Sequence, residues 1–227
     1  MPITLITGAN GHGKGQVIIR KILELQEEND ALEKEGKPRR RIFSNIHGIN
    51  DPDRTPLKDV KPIPSDKIFF GKQDNPDMPP PDGYWLPNVG DIFIYDECQR
   101  IEWVKQKAGA LSTDIRVTSL EEHRHWGLDI FFLTQSPNYI HSHIQGLVSP
   151  HWYVERPLGL PITNVFIFNK YQAKPETPSV KKRADDQKQI TLGKKYGQYY
   201  KSSAEHNMNS SIPLKIKIAV AALIFCI

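Results

Sequence analysis

The chain has 227 residues, 38% hydrophobic and 25% charged. That is enough for one large domain with a real core, and it excludes a chain that is polar throughout. The net charge is +4, and the only cysteines are Cys98 and Cys226, which excludes a disulfide framework and points to a reducing compartment.

The start, "ITLIT", has no basic stretch ahead of it, so no signal peptide is expected. This short β-rich run ends in glycine and reads as a buried strand. Residues 8–15, "GANGHGKG", follow as a loop. A helix comes next: Val17, Ile18, Ile19, Ile22, Leu23 and Leu25 recur at helical spacing until Gly36. "RRRIFSNI" is a second strand candidate. Residues 47–90 are rich in Pro, Asp and Gly and read as a long insertion holding at most the short strand "KIFF". "VGDIFIYDEC" is the next strand. "IRVTSLEEHRHWG" reads as a helix capped near Thr118 or Ser119 and ended by Gly127. "LDIFFLTQSP", "LVSPHWYVERP" and "TNVFIFNKYQ" are three further strands. Apolar strands alternating with helices predict an α/β fold, a mostly parallel sheet covered on both faces.

Charge is unevenly spread. Residues 170–217 carry eleven Lys/Arg against four Asp/Glu, while the remainder is net −3. A basic tail suits an anionic surface, either nucleic acid or lipid headgroups. Residues 174–212 read as a polar arm, with Tyr196, Tyr199 and Tyr200 offering apolar area to dock on the body. The final run "IAVAALIFCI" is uncharged and follows Lys215 and Lys217. It is half the length of a membrane span. Two readings stand: the start of a transmembrane helix over 213–227, favoured by the preceding lysines, or a short buried helix.

Three strand ends carry chemistry. The loop Gly8, Ala9, Asn10, Gly11, His12, Gly13, Lys14 fits Gly-x-x-x-x-Gly-Lys between a strand and a helix. Its glycines let successive N–H groups, through Gly15 and Gln16, turn toward phosphate oxygens, and its lysine adds a point charge. The Ser/Thr that normally follows the lysine holds magnesium; here it is Gly15, which predicts weaker magnesium dependence or slower turnover. Asp96 and Glu97 end a buried strand, where open α/β sheets bind ligands. Asp96 is expected to hold Mg2+ through water, and Glu97 to orient or deprotonate an attacking water. Thr134 and Gln135 end another strand, at a position suited to sensing a terminal phosphate. Arg124 is a candidate to reach a phosphate on its own or a neighbouring subunit. No His/Cys cluster at metal-ligand spacing and no Gly-x-Ser-x-Gly is present.

Taken together, "ITGANGHGKG", "DIFIYDE", "HRHWGLDIFFLTQSP", "HIQGLVSPHWYVER", "KKYGQYYKSS" and the terminal apolar run resemble the zonular occludens toxin family, the assembly ATPases (gene I products) of filamentous phages and prophages. The resemblance covers nearly the whole chain. It implies a P-loop NTPase domain of the additional-strand type over 1–173, a basic arm over 174–212 and a truncated span over 213–227. It further implies an inner-membrane, single-pass protein with residues 1–215 cytoplasmic. Expected ligands are ATP and Mg2+. Expected partners are phage coat proteins, phage single-stranded DNA, an outer-membrane export channel and further copies of the chain. Gly8, Gly13 and Lys14 match the family's phosphate loop, Asp96 and Glu97 its carboxylates, Gln135 its sensor and Arg124, more weakly, its arginine. The departure at Gly15 keeps two alternatives open beside a motor ATPase: a nucleotide-binding scaffold with little turnover, and a single-stranded DNA-binding adaptor led by the basic tail. The junction-loosening activity of toxin-named family members is not expected of these residues.

Overall fold

The computed structural model describes residues 2–49, 51–72, 75–107 and 111–200. The apolar run 218–227 and the polar stretch just before it lie outside the described residues. Among the described residues no helix is long and apolar enough to cross a membrane.

Eight strands form one sheet. In chain order they are β1 (Ile3–Thr7), β2 (Ile42–Ser44), β3 (Val60–Pro62), β4 (Ile92–Tyr95), β5 (Asp129–Thr134), β6 (Val148–Glu155), β7 (Ile162–Phe168) and β8 (Asp186–Thr191). The spatial order is β3-β2-β4-β5-β1-β6-β7-β8. From β3 to β6 all neighbours are parallel; β7 and β8 add on antiparallel. The mostly parallel α/β sheet expected from the sequence is therefore what the chain builds. β5 stands between β1 and β4, the additional strand of the expected arrangement.

The central strands are apolar throughout because both faces are covered. Alternation divides their side chains. Ile3, Leu5, Phe93, Tyr95, Ile130 and Phe132 belong to one core cluster, and Ile6, Ile92, Ile94, Phe131 and Leu133 to the other. The second face is covered by helix α1 (Lys14–Lys34), which buries Val17, Ile18, Ile19, Ile22 and Leu25. The first is covered by short pieces and loops, among them helix α2 (Ile115–Thr118) and helix α3 (Ser142–Leu147), around an aromatic chain. In it, Phe70 packs on Phe93 and Trp103, and Tyr95 on Trp103 and Phe132, with centroids 5.4–5.9 Å apart.

Three stretches differ from their sequence-based expectation. "KIFF" makes only an isolated bridge, Ile68 to Trp85. The Phe69 and Phe70 amides donate to Trp85 O and Ser119 Oγ, outside any ladder; the insertion's strand is β3. The helix expected over 115–127 stops after one turn, and a 3-10 turn, Ser119–Glu122, replaces its continuation. Asp114 is its cap, its carboxylate accepting the Arg116 amide at 3.0 Å. Ser119 is buried and spends its hydroxyl on the Phe70 amide instead. Residues 174–200 are not an extended arm. After helix α4 (Pro178–Lys181) they supply β8, then helix α5 (Lys194–Gly197). The expected tyrosine docking is present: Tyr200 is buried in the α1-side core, with Tyr196 and Tyr199 packed against it.

Candidate functional site

β1, β4 and β5 run parallel, so their C-terminal ends deliver the loop 8–13, Asp96–Glu97 and Thr134–Gln135 to one edge of the sheet. Register keeps them level: Thr7 is opposite Thr134, and Tyr95 opposite Phe132.

The loop is fixed by close approach to β6. Gly8 has φ +151°, and a Cβ added there would lie 2.2 Å from the carbonyl oxygen of Val154. The His12 ring meets that same carbonyl at 3.2 Å, and the Thr163 hydroxyl donates to the His12 carbonyl at 2.8 Å. Gly13, with φ +96°, brings no capping side chain to α1. The first-turn N–H groups of a helix have no intrahelical acceptor, so here they are donors for an anion. Gln16 turns its side-chain oxygen to the Gly193 amide at 3.0 Å, so of its polar groups it is the backbone N–H that faces the loop's other donors.

Lys14 bends over the loop and donates to the carbonyls of Gly8 (2.6 Å) and Ala9 (3.3 Å). Burial lowers its pKa, while the charges of Glu97 and Asp96 push it back up. Burial raises the Asp96 pKa, and the Glu97 charge adds to this; the Glu97 amide and Lys14 oppose it. The lysine and both carboxylates thus share one electrostatic neighbourhood, although 81 residues of chain part Lys14 from its nearest carboxylate partner in the sequence. Asn45, just past β2, locks the tip of β4: its side chain accepts from the Asp96 amide (2.6 Å) and donates to the Asp96 carbonyl (3.1 Å). Glu97 adopts the left-handed conformation, φ 46° and ψ 41°, uncommon for a side chain of its kind and worth about 1 kcal/mol of strain or more. Its carboxylate accepts from the Gln99 amide group at 2.5 Å.

The Thr134 hydroxyl is buried and has no partner among the described residues. An orphan buried hydroxyl at a strand tip beside backbone donors, an ammonium and two carboxylates fits a polyphosphate with a divalent cation.

A family model described as "Zonular occludens toxin (Zot)" matches residues 2–207. The chain belongs to this family. This Zot-family chain is 29% identical over 229 residues to "Putative assembly protein ORF301" of Pseudomonas phage Pf3, covering 98% of its own length. It spans 65% of the length of that relative. It also resembles the crystal structure of the N-terminal domain of zonular occludens toxin from Neisseria meningitidis, with 24% identity and a TM-score of 0.60. That likeness covers 88% of this chain and 98% of the other, and bears on the fold.

In the Zot-family chain the edge gathers Gly8–Gln16, Asp96, Glu97 and Gln135. Arg124 is not brought there. It is exposed in the turn before β5, whose other end carries Gln135, so a whole strand of about 20 Å separates them. That turn packs at the start of β4, where the Gly90 amide donates to the Trp126 carbonyl. Within one chain Arg124 cannot serve the loop. Sequence reasoning missed Asn45, Thr163, Leu192 and the position taken by Tyr200. A polar residue just past a strand, as in "IFSN", is the signal that points to Asn45.

A buried histidine underlies the loop. His151 is fully buried; its Nδ1 accepts from the Gln172 amide at 3.1 Å, so Nε2 carries the proton and donates to the Thr7 hydroxyl at 2.7 Å. Burial lowers its pKa to about 3, from an ordinary 6.5. The folded state refuses a proton that the unfolded state takes up below that ordinary value. Stability from this group is therefore intact at neutral pH and falls as pH drops through 6.5, by about 2 kcal/mol at pH 5. Urea midpoints at pH 7.5 and 5 are expected to converge in His151→Gln relative to the natural chain.

Proposed function

We propose that this chain is the ATP-binding motor of a membrane-anchored protein that assembles and exports filamentous phage. The observation that carries the reading is the meeting of Lys14, Asp96 and Glu97 at one sheet edge, with the tip of β5 between. Family membership supports it, as does the curated relative's name as an assembly protein.

In this reading the N–H groups of 11–16 and the Lys14 ammonium hold the β- and γ-phosphates of ATP. Asp96 would hold Mg2+ through water, and the ion would supply neutralisation of charge developing on the phosphates. Glu97, set by its left-handed backbone and by Gln99, positions the attacking water and takes its proton. Thr134 and Gln135 line the γ-phosphate side. Arg124, exposed at the far edge, is available only to the site of a neighbouring copy, which makes a homo-oligomer part of the proposal. The basic C-terminal residues and the apolar run after them support an inner-membrane, single-pass location with residues 1–215 cytoplasmic as part of this reading. Coat proteins, single-stranded DNA and an outer-membrane channel are its proposed partners.

Glu97→Gln tests the chemistry. ATP turnover is expected to fall by about two to four powers of ten, with nucleotide binding retained. Undiminished turnover would remove Glu97 as the base. A natural chain that binds ATP without turning it over would replace the motor by a nucleotide-held scaffold.

A further inference from the structure

We infer that Tyr200 supplies, from the far end of the chain, the hydroxyl that Gly15 lacks. This rests on the nucleotide reading above and extends it to one residue outside the loop.

A Cβ built on Gly15 would lie 2.7 Å from the Tyr200 Oη, 2.7 Å from its Cε2 and 2.8 Å from its Cζ. It is therefore the oxygen-bearing end of the ring that fills the space of a side chain at position 15. In a full phosphate loop that space holds the Ser or Thr hydroxyl, a neutral oxygen that faces the magnesium ion. A phenol is also neutral at pH 7, with one O–H donor and acceptor lone pairs. It can stand where the shorter hydroxyl stood.

The placement is held at several points. Leu192 lies against Gly13, so that a Cβ there would meet its Cδ2 at 2.9 Å. The Leu192 amide donates to Pro161 O at 2.8 Å and the Gly193 amide to the Gln16 side chain at 3.0 Å. Farther along, Arg54 donates to Gly197 O at 2.5 Å and the Thr55 amide to Gln198 O at 3.0 Å. Residues 192–200 thus form a strap across the start of α1, with Tyr200 buried at its end. Gly15 and Tyr200 are mutually exclusive with larger neighbours: a side chain at 15 and the ring at 200 claim one volume.

The test is a swap in the full chain, read as the ratio of ATP affinity with Mg2+ to that without it, by fluorescent-nucleotide titration. In Tyr200→Phe, which keeps the ring, that ratio is expected to fall about tenfold. Gly15→Ser alone is expected to lower the melting temperature, because its Cβ meets the ring. The double variant Gly15→Ser/Tyr200→Ala is expected to recover the Mg2+ ratio although it empties part of the core, which simple packing does not predict. A natural ratio in Tyr200→Phe, or a higher one in Tyr200→Ala, would overturn the inference and leave a ring that only fills space. No ATP binding by the natural chain under either condition would sink the nucleotide reading itself, and this inference with it.

Discussion

Replacing Gly8 by alanine is expected to destabilise the fold by about 3 kcal/mol or more, among the largest effects of any single methyl in the chain. Two costs coincide. The φ of +151° is a conformation that side-chain-bearing residues rarely adopt, and the new Cβ would lie 2.2 Å from Val154 O. The obstacle is backbone, not a side-chain tip. Val154 is opposite Val165 in the sheet, on a strand that also pairs with β1, so it cannot recede without breaking a ladder. Gly11→Ala is the control: its φ is +77°, but nothing lies within 4 Å of the added Cβ, so it is expected to cost only about 1 kcal/mol. Urea denaturation of both variants separates crowding from conformational strain. Equal losses would mean that β6 yields where the geometry says it is pinned.

Lys14→Ala is expected to abolish stabilisation by ATP. A ligand at 100 times its dissociation constant adds about 2.7 kcal/mol, roughly 5–10 °C in melting temperature for a domain of this size. The ammonium is the candidate site's half-buried cation beside Asp96 and Glu97, and its removal leaves two carboxylates facing an incoming polyphosphate unopposed. The loss is therefore expected to exceed that of one hydrogen bond. Thermal melts with and without ATP, in the natural chain and the variant, decide it. An unchanged shift in Lys14→Ala would place the nucleotide elsewhere.

The parts of this protein that the sequence made legible are those specified locally. Gly8, Gly13 and Lys14 declare a strand-to-helix turn by spacing alone, and α1 follows by periodicity. β4 and β5 are unbroken apolar runs, so their existence and the acids at one tip could be read directly. β8 could not: in "DQKQIT" only Ile190 is buried, and an edge strand with exposed polar side chains carries no alternation to detect. β3 is three residues long and ends in Pro62. The helix expected over 115–127 ends after one turn because the tertiary use of Ser119 outweighs the pattern. That tyrosines near the end dock on the body was readable; that one fills the space beside Gly15, 185 residues away, was not. Asn45 shows in the sequence only as a polar residue just past a strand; its partner, the tip of β4, is fixed only once β2 and β4 are neighbours.

The position of β1 has a consequence for how the chain reaches its fold. Ile3 is aligned with Ile130 on one side and with Ser149 on the other. The first strand to be made is thus one whose partners lie more than about 120 residues further on, and closing loops of that length costs conformational entropy before any contact repays it. Until β5 is available "ITLIT" has two open edges, and until β6 is available it still has one, the feature that invites aggregation. The loop 8–13, which hangs from the end of β1 and leans on β6, can take shape only once β6 is in place. A chain with an assembled loop is one whose body is already complete through β6.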